Sequence, residues 1–143
     1  MPSNLCIAAE LESLGAIRRF VQETATAMGS GPTAVSDVLL AVDEAATNTI
    51  LHGYQGQPGL IEVEVGRAGD DLVVRLRDQA APFDPTQVPP PDLNLPLEQR
   101  PVGGMGVYLI QQLMDEVTYS TTSQGGNQLV LVKRGVLADS PEP

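Results

Sequence analysis

TAVSDVLLAVDEAATNTILHG, residues 33–53, decides the fold. Val35, Val38, Leu39, Val42, Ala45, Ala46 and Thr49–Ile50 recur at three- and four-residue spacing, which predicts an amphipathic helix. Gly31–Pro32 opens it, because proline is tolerated in the first turn, and Gly53 closes it. Glu44, Asn48 and His52 fall at i, i+4 and i+8 and so line one side. A carboxylate one turn from an amide suits a general base beside a divalent-metal ligand, since hard cations take oxygen ligands. The same stripe would also serve as a solvated helix face.

Upstream, residues 4–9 (NLCIAA) predict a short strand, and Leu11, Leu14, Ile17, Val21, Ala25 and Met28 predict a helix over 10–28. Arg18 and Arg19 sit together there, either as solubilising charges or as a contact for an acidic protein partner. Downstream, YQGQPG is turn chemistry. Ile61, Val63 and Val65 alternate with Glu62 and Glu64, and Leu72, Val74 and Leu76 alternate with Val73, Arg75 and Arg77. Two such runs around Gly69–Asp70–Asp71 form a hairpin with one buried face.

Residues 79–104 hold seven of the twelve prolines, so neither helix nor central strand persists, and a loop of this length suits a lid over a site. It runs into Gly103–Gly104–Met105–Gly106 and then a helical pattern over 105–116. A glycine-rich turn entering a helix offers free N–H groups to an anion. Strands over 117–122 and 128–134 turn at Gly125–Gly126, and 135–143 reads as a disordered tail. The order is strand, two helices, hairpin, lid, helix, hairpin. It predicts a single α+β domain over 1–134, a two-layer sandwich of one mostly antiparallel, mixed sheet with helices on one face.

Composition narrows the function. The chain has 143 residues, 18 acidic against 8 basic, for a net charge of −10. That charge repels nucleic acid and anionic membranes, so neither is expected as a partner. No apolar run reaches the roughly 20 residues of a membrane span and no signal peptide is seen, which predicts a cytoplasmic protein. Cys6 is alone, excludes an internal disulfide, and is expected to be buried in its apolar run. The single lysine, Lys133, follows Val132, so no P-loop is possible. One histidine and one cysteine make no zinc site, and no G-x-S-x-G occurs.

What remains is an ordered set: E-x-x-x-N-x-x-x-H-G-Y at 44–54, D-x-A-x-P-F-D-P at 78–85 and G-G-M-G-x-x-L at 103–109. These resemble the nucleotide-binding boxes of the gyrase and histidine-kinase ATPase superfamily with the Bergerat fold. EAATNTILHGY, PFDP and GGMGVYLI are most similar to its small single-domain branch, the anti-sigma-factor serine kinases, over roughly residues 5–134. The resemblance implies Glu44 as the general base for a substrate hydroxyl, Asn48 as a ligand of Mg²⁺ bridging the ATP phosphates, and Asp78 as acceptor for the adenine amino group. It implies further nucleotide contacts from Ala80, Pro82 and Phe83, and from Gly103, Gly104, Met105, Gly106 and Val107 around the helix start. Arg100, the one cation in the lid, is a candidate for neutralising the γ-phosphate or a solvated loop residue, and His52 is a candidate for capping, packing or catalysis.

The residues themselves agree on two points. Asp78 ends a strand with an apolar face, where a lone carboxylate needs a donor. Magnesium and helix-end N–H groups also let an acidic chain hold phosphates. Two positions depart from the family pattern: Ala80 stands where glycine is usual, and Gly126–Asn127 stands where glycine and threonine are usual. The Asn127 amide, which both donates and accepts, is expected to replace the threonine at adenine. The expected activity is Mg-ATP-dependent phosphorylation of serine or threonine on a small anti-anti-sigma (STAS-type) antagonist. A sigma factor or other regulator would be sequestered by a homodimer pairing near the first strand and helix. A non-catalytic, ATP-regulated sequestration module is the alternative; Ala80 favours it, whereas Glu44 and Asn48 favour the kinase.

Overall fold

A computed structural model describes residues 2–87, 94 and 104–138. The strands are β1 (Ser3–Ala8), β2 (Leu60–Ala68), β3 (Asp71–Asp78), β4 (Glu116–Thr121) and β5 (Asn127–Lys133); the helices are α1 (Leu14–Ala27), α2 (Pro32–Asn48) and α3 (Gly104–Leu113). The sheet runs β1-β2-β3-β5-β4. Every pairing among the described residues is antiparallel, so the expected sandwich is present there without the mixed element.

Strand periodicity sorts the sheet into two faces. On one, Ile61, Val63, Val65, Leu72, Val74, Leu76, Leu129 and Leu131 pack with Ile17 and Val21 of α1, Val38 and Val42 of α2, and Ile110 of α3. On the other, the register sets Glu62 opposite Arg77 and Glu64 opposite Arg75. These become ion pairs at 2.5 Å and 2.9 Å. Cross-strand pairs of this kind contribute about 0.2–1 kcal/mol, with partly exposed ones at the low end.

Cys6 lies on that outer face, opposite Glu62, and is exposed. Its apolar neighbours Leu5 and Ile7 take the inward positions and pack against the core, so alternation turns the thiol outward. The expectation of burial fails for that reason. The expected tail also differs over its first residues. Leu137 is buried and its N–H donates to Asp70 O at 3.0 Å, while Arg67 reaches Ala138 O at 2.7 Å. Residues 139–143 lie outside the described chain.

α2 begins as the sequence dictates, with Gly31 at the N-cap and Pro32 in the first turn. Its end is different. Thr49–Gly53 forms a π turn, with Tyr54 N–H donating to Thr49 O at 2.9 Å. The wider turn breaks the i+4 line, so His52 is exposed while Glu44 and Asn48 are half-buried. The aligned Glu44–Asn48–His52 stripe is therefore a pair with a displaced histidine.

Candidate nucleotide site

The inner face of the sheet is apolar until its last row. There the register continues Leu76 and Leu129 into Asp78 and Asn127, directly opposite one another on β3 and β5. Both are only 9% exposed, which requires partners for every polar atom. Asp78 Oδ1 accepts from Ala80 N–H at 2.9 Å and from Asn127 Nδ2 at 2.8 Å. Among the described residues Asp78 Oδ2 receives only the Thr49 hydroxyl, at 3.4 Å. Thr49 comes from the π turn, so the end of α2 is joined to the end of β3.

These residues line a pocket of about 60 Å³ with Ala45, Asn48, Gly53, Ala80, Phe83, Ile110 and Tyr119. None of the described residues lining it is a cation. Tyr119 donates its hydroxyl to Asn127 Oδ1 at 2.5 Å. Burial raises its phenol above the usual value; Phe83 N–H partly offsets this, and Asp84 and Asp78 add to the rise. At neutral pH the hydroxyl is a donor.

The glycine turn closes the arrangement. A Cβ built on Gly106 would stand 2.7 Å from Glu44 Oε2 and 3.7 Å from Asn48 Nδ2. Only glycine leaves that space between α3 and α2. A second close approach lies on the pocket wall, where a Cβ on Gly53 would meet the Ala80 methyl at 3.0 Å. The methyl that departs from the family pattern thus sits against a residue with no side chain.

Of the residues singled out in the sequence, Glu44, Asn48, Asp78, Ala80, Phe83, Gly106 and Asn127 come together here. Pro82 is exposed and does not line the pocket, and Val107 is buried away from it. Arg100, Gly103 and most of the expected lid lie outside the described residues, as do the side chain of Met105 and its surroundings; Gly104 begins α3. Sequence reasoning missed Thr49, Gly53 and Tyr119. Tyr119 shares the parity of Val117 and Thr49 adjoins Asn48, but only the fold turns either toward Asp78.

A helix carboxylate and amide, a buried strand-end aspartate and a glycine-opened helix around one pocket define a histidine-kinase-like ATPase. Residues 7–133 match the family model of the histidine kinase-like ATPase domain. The serine-protein kinase RsbW of Bacillus cereus strain B4264 is 34% identical over 115 residues, covering 78% of this chain and 72% of the relative. RsbW of Bacillus mycoides strain KBAB4 is 33% identical over the same lengths. The solved RsbU and RsbW domains of Rv1364c from Mycobacterium tuberculosis share the fold, with a TM-score of 0.65 at 19% identity over 94% of this chain. This chain spans 32% of that one. The chain belongs to the histidine kinase-like ATPase family, in its branch of anti-sigma-factor serine-protein kinases.

Proposed function

We propose that this chain binds Mg-ATP and phosphorylates a serine or threonine on a small anti-anti-sigma (STAS-type) antagonist, and that it sequesters a sigma factor or similar regulator when that antagonist is absent or modified. The observation that carries this is the contact of Glu44 and Asn48 with the Gly106 space, at the pocket closed by Asp78.

Glu44 accepts the proton of the attacking hydroxyl as its oxygen bonds to the γ-phosphorus; the bond from that phosphorus to the β,γ-bridging oxygen breaks, and ADP leaves with the electron pair. Asp78 takes the adenine amino group on Oδ2, the oxygen that the fold leaves least occupied. Phe83, half exposed at the rim, covers the base. The first N–H groups of α3 face the phosphates.

Magnesium would be held by Asn48 and the phosphates, where it would neutralise charge on the transferred group. The residues fit such an ion. Asn48 carries an amide oxygen, a ligand type that Mg²⁺ accepts, and the ion is commonly held by few protein oxygens plus substrate phosphates. Ala80, seated against Gly53, belongs to the base pocket.

Homodimer formation through β1 and α1 completes the proposal. β1 is an edge of the sheet, and Leu11 between β1 and α1 is 51% exposed. Light scattering in solution should give twice the chain mass.

The kinase reading is tested with labelled Mg-ATP and the anti-anti-sigma proteins of the same genome. Transfer that disappears in Glu44→Ala while ATP binding persists supports it. Tight ATP binding by the wild type with no transfer to any of them would instead mark a sequestration module.

A further inference from the structure

We propose that Asn127 and Tyr119 are positioning residues that aim the Asp78 carboxylate at the nucleotide base without either hydrogen-bonding to the nucleotide. The proposal rests on the reading of Asp78 as the base acceptor and concerns how that acceptor is held.

An asparagine amide offers two lone pairs and two hydrogens. At Asn127 all are engaged within the protein. Oδ1 accepts from the Tyr119 hydroxyl at 2.5 Å and from Phe83 N–H at 3.1 Å. Nδ2 donates to Asp78 Oδ1 at 2.8 Å, with Ala80 O at 3.2 Å and Ala81 O at 3.3 Å as further acceptors. The orientation of the amide follows from these partners. A backbone N–H can only donate and a carboxylate can only accept, so a flipped amide would oppose like groups at both ends. Asn127 has nothing left for a purine or for a water beneath it. The expectation that its amide contacts adenine therefore gives way to an indirect role.

That role is to divide the work of the two Asp78 oxygens. Oδ1 is saturated by Asn127 and Ala80 N–H. Among the described residues Oδ2 has only a long contact from Thr49, beyond the usual 2.5–3.0 Å of a hydroxyl bond, and keeps its capacity for an exocyclic amino group. Tyr119 sits two residues from the β4 position that faces Asn127, a diagonal neighbour on the same face, and pins the amide from behind. Asn127 Oδ1 also holds Phe83 N–H, so the segment that follows the base pocket is tied to the group that orients Asp78.

The test uses the full chain with Mg²⁺ and two nucleotides, ATP and purine riboside triphosphate, which lacks the 6-amino group. Wild type, Tyr119→Phe and Asn127→Ala are titrated calorimetrically, and each variant's melting curve confirms that it is folded at the assay temperature. The wild type should prefer ATP by about tenfold or more, the worth of one hydrogen bond to a charged group. Both variants should lose most of that preference through weaker ATP binding, with affinity for the deamino analogue within about threefold of wild type. In transfer assays KM for ATP should rise while kcat at saturation holds. Tyr119→Phe removes a single oxygen and keeps the test open if Asn127→Ala folds poorly. Equal losses for both nucleotides, or an unchanged preference, would overturn the proposal. A wild type that does not distinguish the two nucleotides would overturn the base-reading role of Asp78 itself, and the positioning role with it.

Discussion

Gly106→Ala sets helix stability against chemistry. Gly106 is the third residue of α3, and replacing glycine by alanine inside a helix gains up to about 1 kcal/mol, less near an end. The new methyl, however, would lie 2.7 Å from Glu44 Oε2, and among the described residues the three nearest atoms outside its own helix all belong to side chains. Ordinary contact begins at 3.4 Å, so the carboxylate must retreat by 3.4 − 2.7, or 0.7 Å. A flexible side-chain tip can do that at little cost, and the melting temperature should stay level or rise slightly. Activity should not follow. Misplacing a catalytic group by about 1 Å costs on the order of a hundredfold, so a shift of this size should slow phosphoryl transfer about ten- to a hundredfold. The assay is single-turnover transfer from labelled ATP to a serine-bearing antagonist, with ATP affinity and melting measured alongside. A folded variant transferring at the wild-type rate would refute the placement of Glu44 at the reacting atoms. So would a rate loss wholly accounted for by weaker ATP binding.

Gly53→Ala should lose about 1–3 kcal/mol by overpacking against the Ala80 methyl, and adding Ala80→Gly should restore the loss; additive effects in a denaturant double-mutant cycle would show that the two positions do not share that space. In Gly126→Ala the new Cβ would fall 2.0 Å from Asp78 O, a main-chain atom that no rotamer change moves, so stability in urea should drop by about 3 kcal/mol or more; a drop below about 1 kcal/mol would contradict the β3–β5 geometry. Tyr119→Phe should cost about 1 kcal/mol at neutral pH by removing the bond to Asn127. Because the folded phenol titrates above its unfolded value of about 10, the wild-type advantage should be full below that pH and fade as pH rises through the folded value; a melting-temperature gap constant up to pH 11 would oppose this.

Much of the fold was legible because its signals are local. The alternation in β2 and β3 is a property of neighbouring residues, and it placed Ile61, Val63, Val65, Leu72, Val74 and Leu76 inward without a partner in view. The same parity, carried one step further, put Asp78 on the buried face and demanded a donor for it. Glu44 and Asn48 share a helix side by spacing alone. Cys6 was misjudged because composition outweighed parity, although Leu5 and Ile7 on either side already claimed the inward positions.

By itself, the sequence determined which residues form strands and helices, which faces are apolar, and that Glu44 and Asn48 share one side of a helix. Only tertiary structure decided their distances and partners. No local rule states that a Cβ on Gly106 would meet Glu44, that Gly53 leaves room for Ala80, or that α2 widens into a π turn and swings His52 out. Nor does one state that Asn127 is consumed by Tyr119, Phe83 and Asp78, or that Leu137 packs back onto the core. Periodicity acts along a few neighbouring residues, whereas the approaches of Gly53 to Ala80 and of Glu44 to Gly106 join positions 27 and 62 apart. They exist only once the sheet and helices have closed around a shared core.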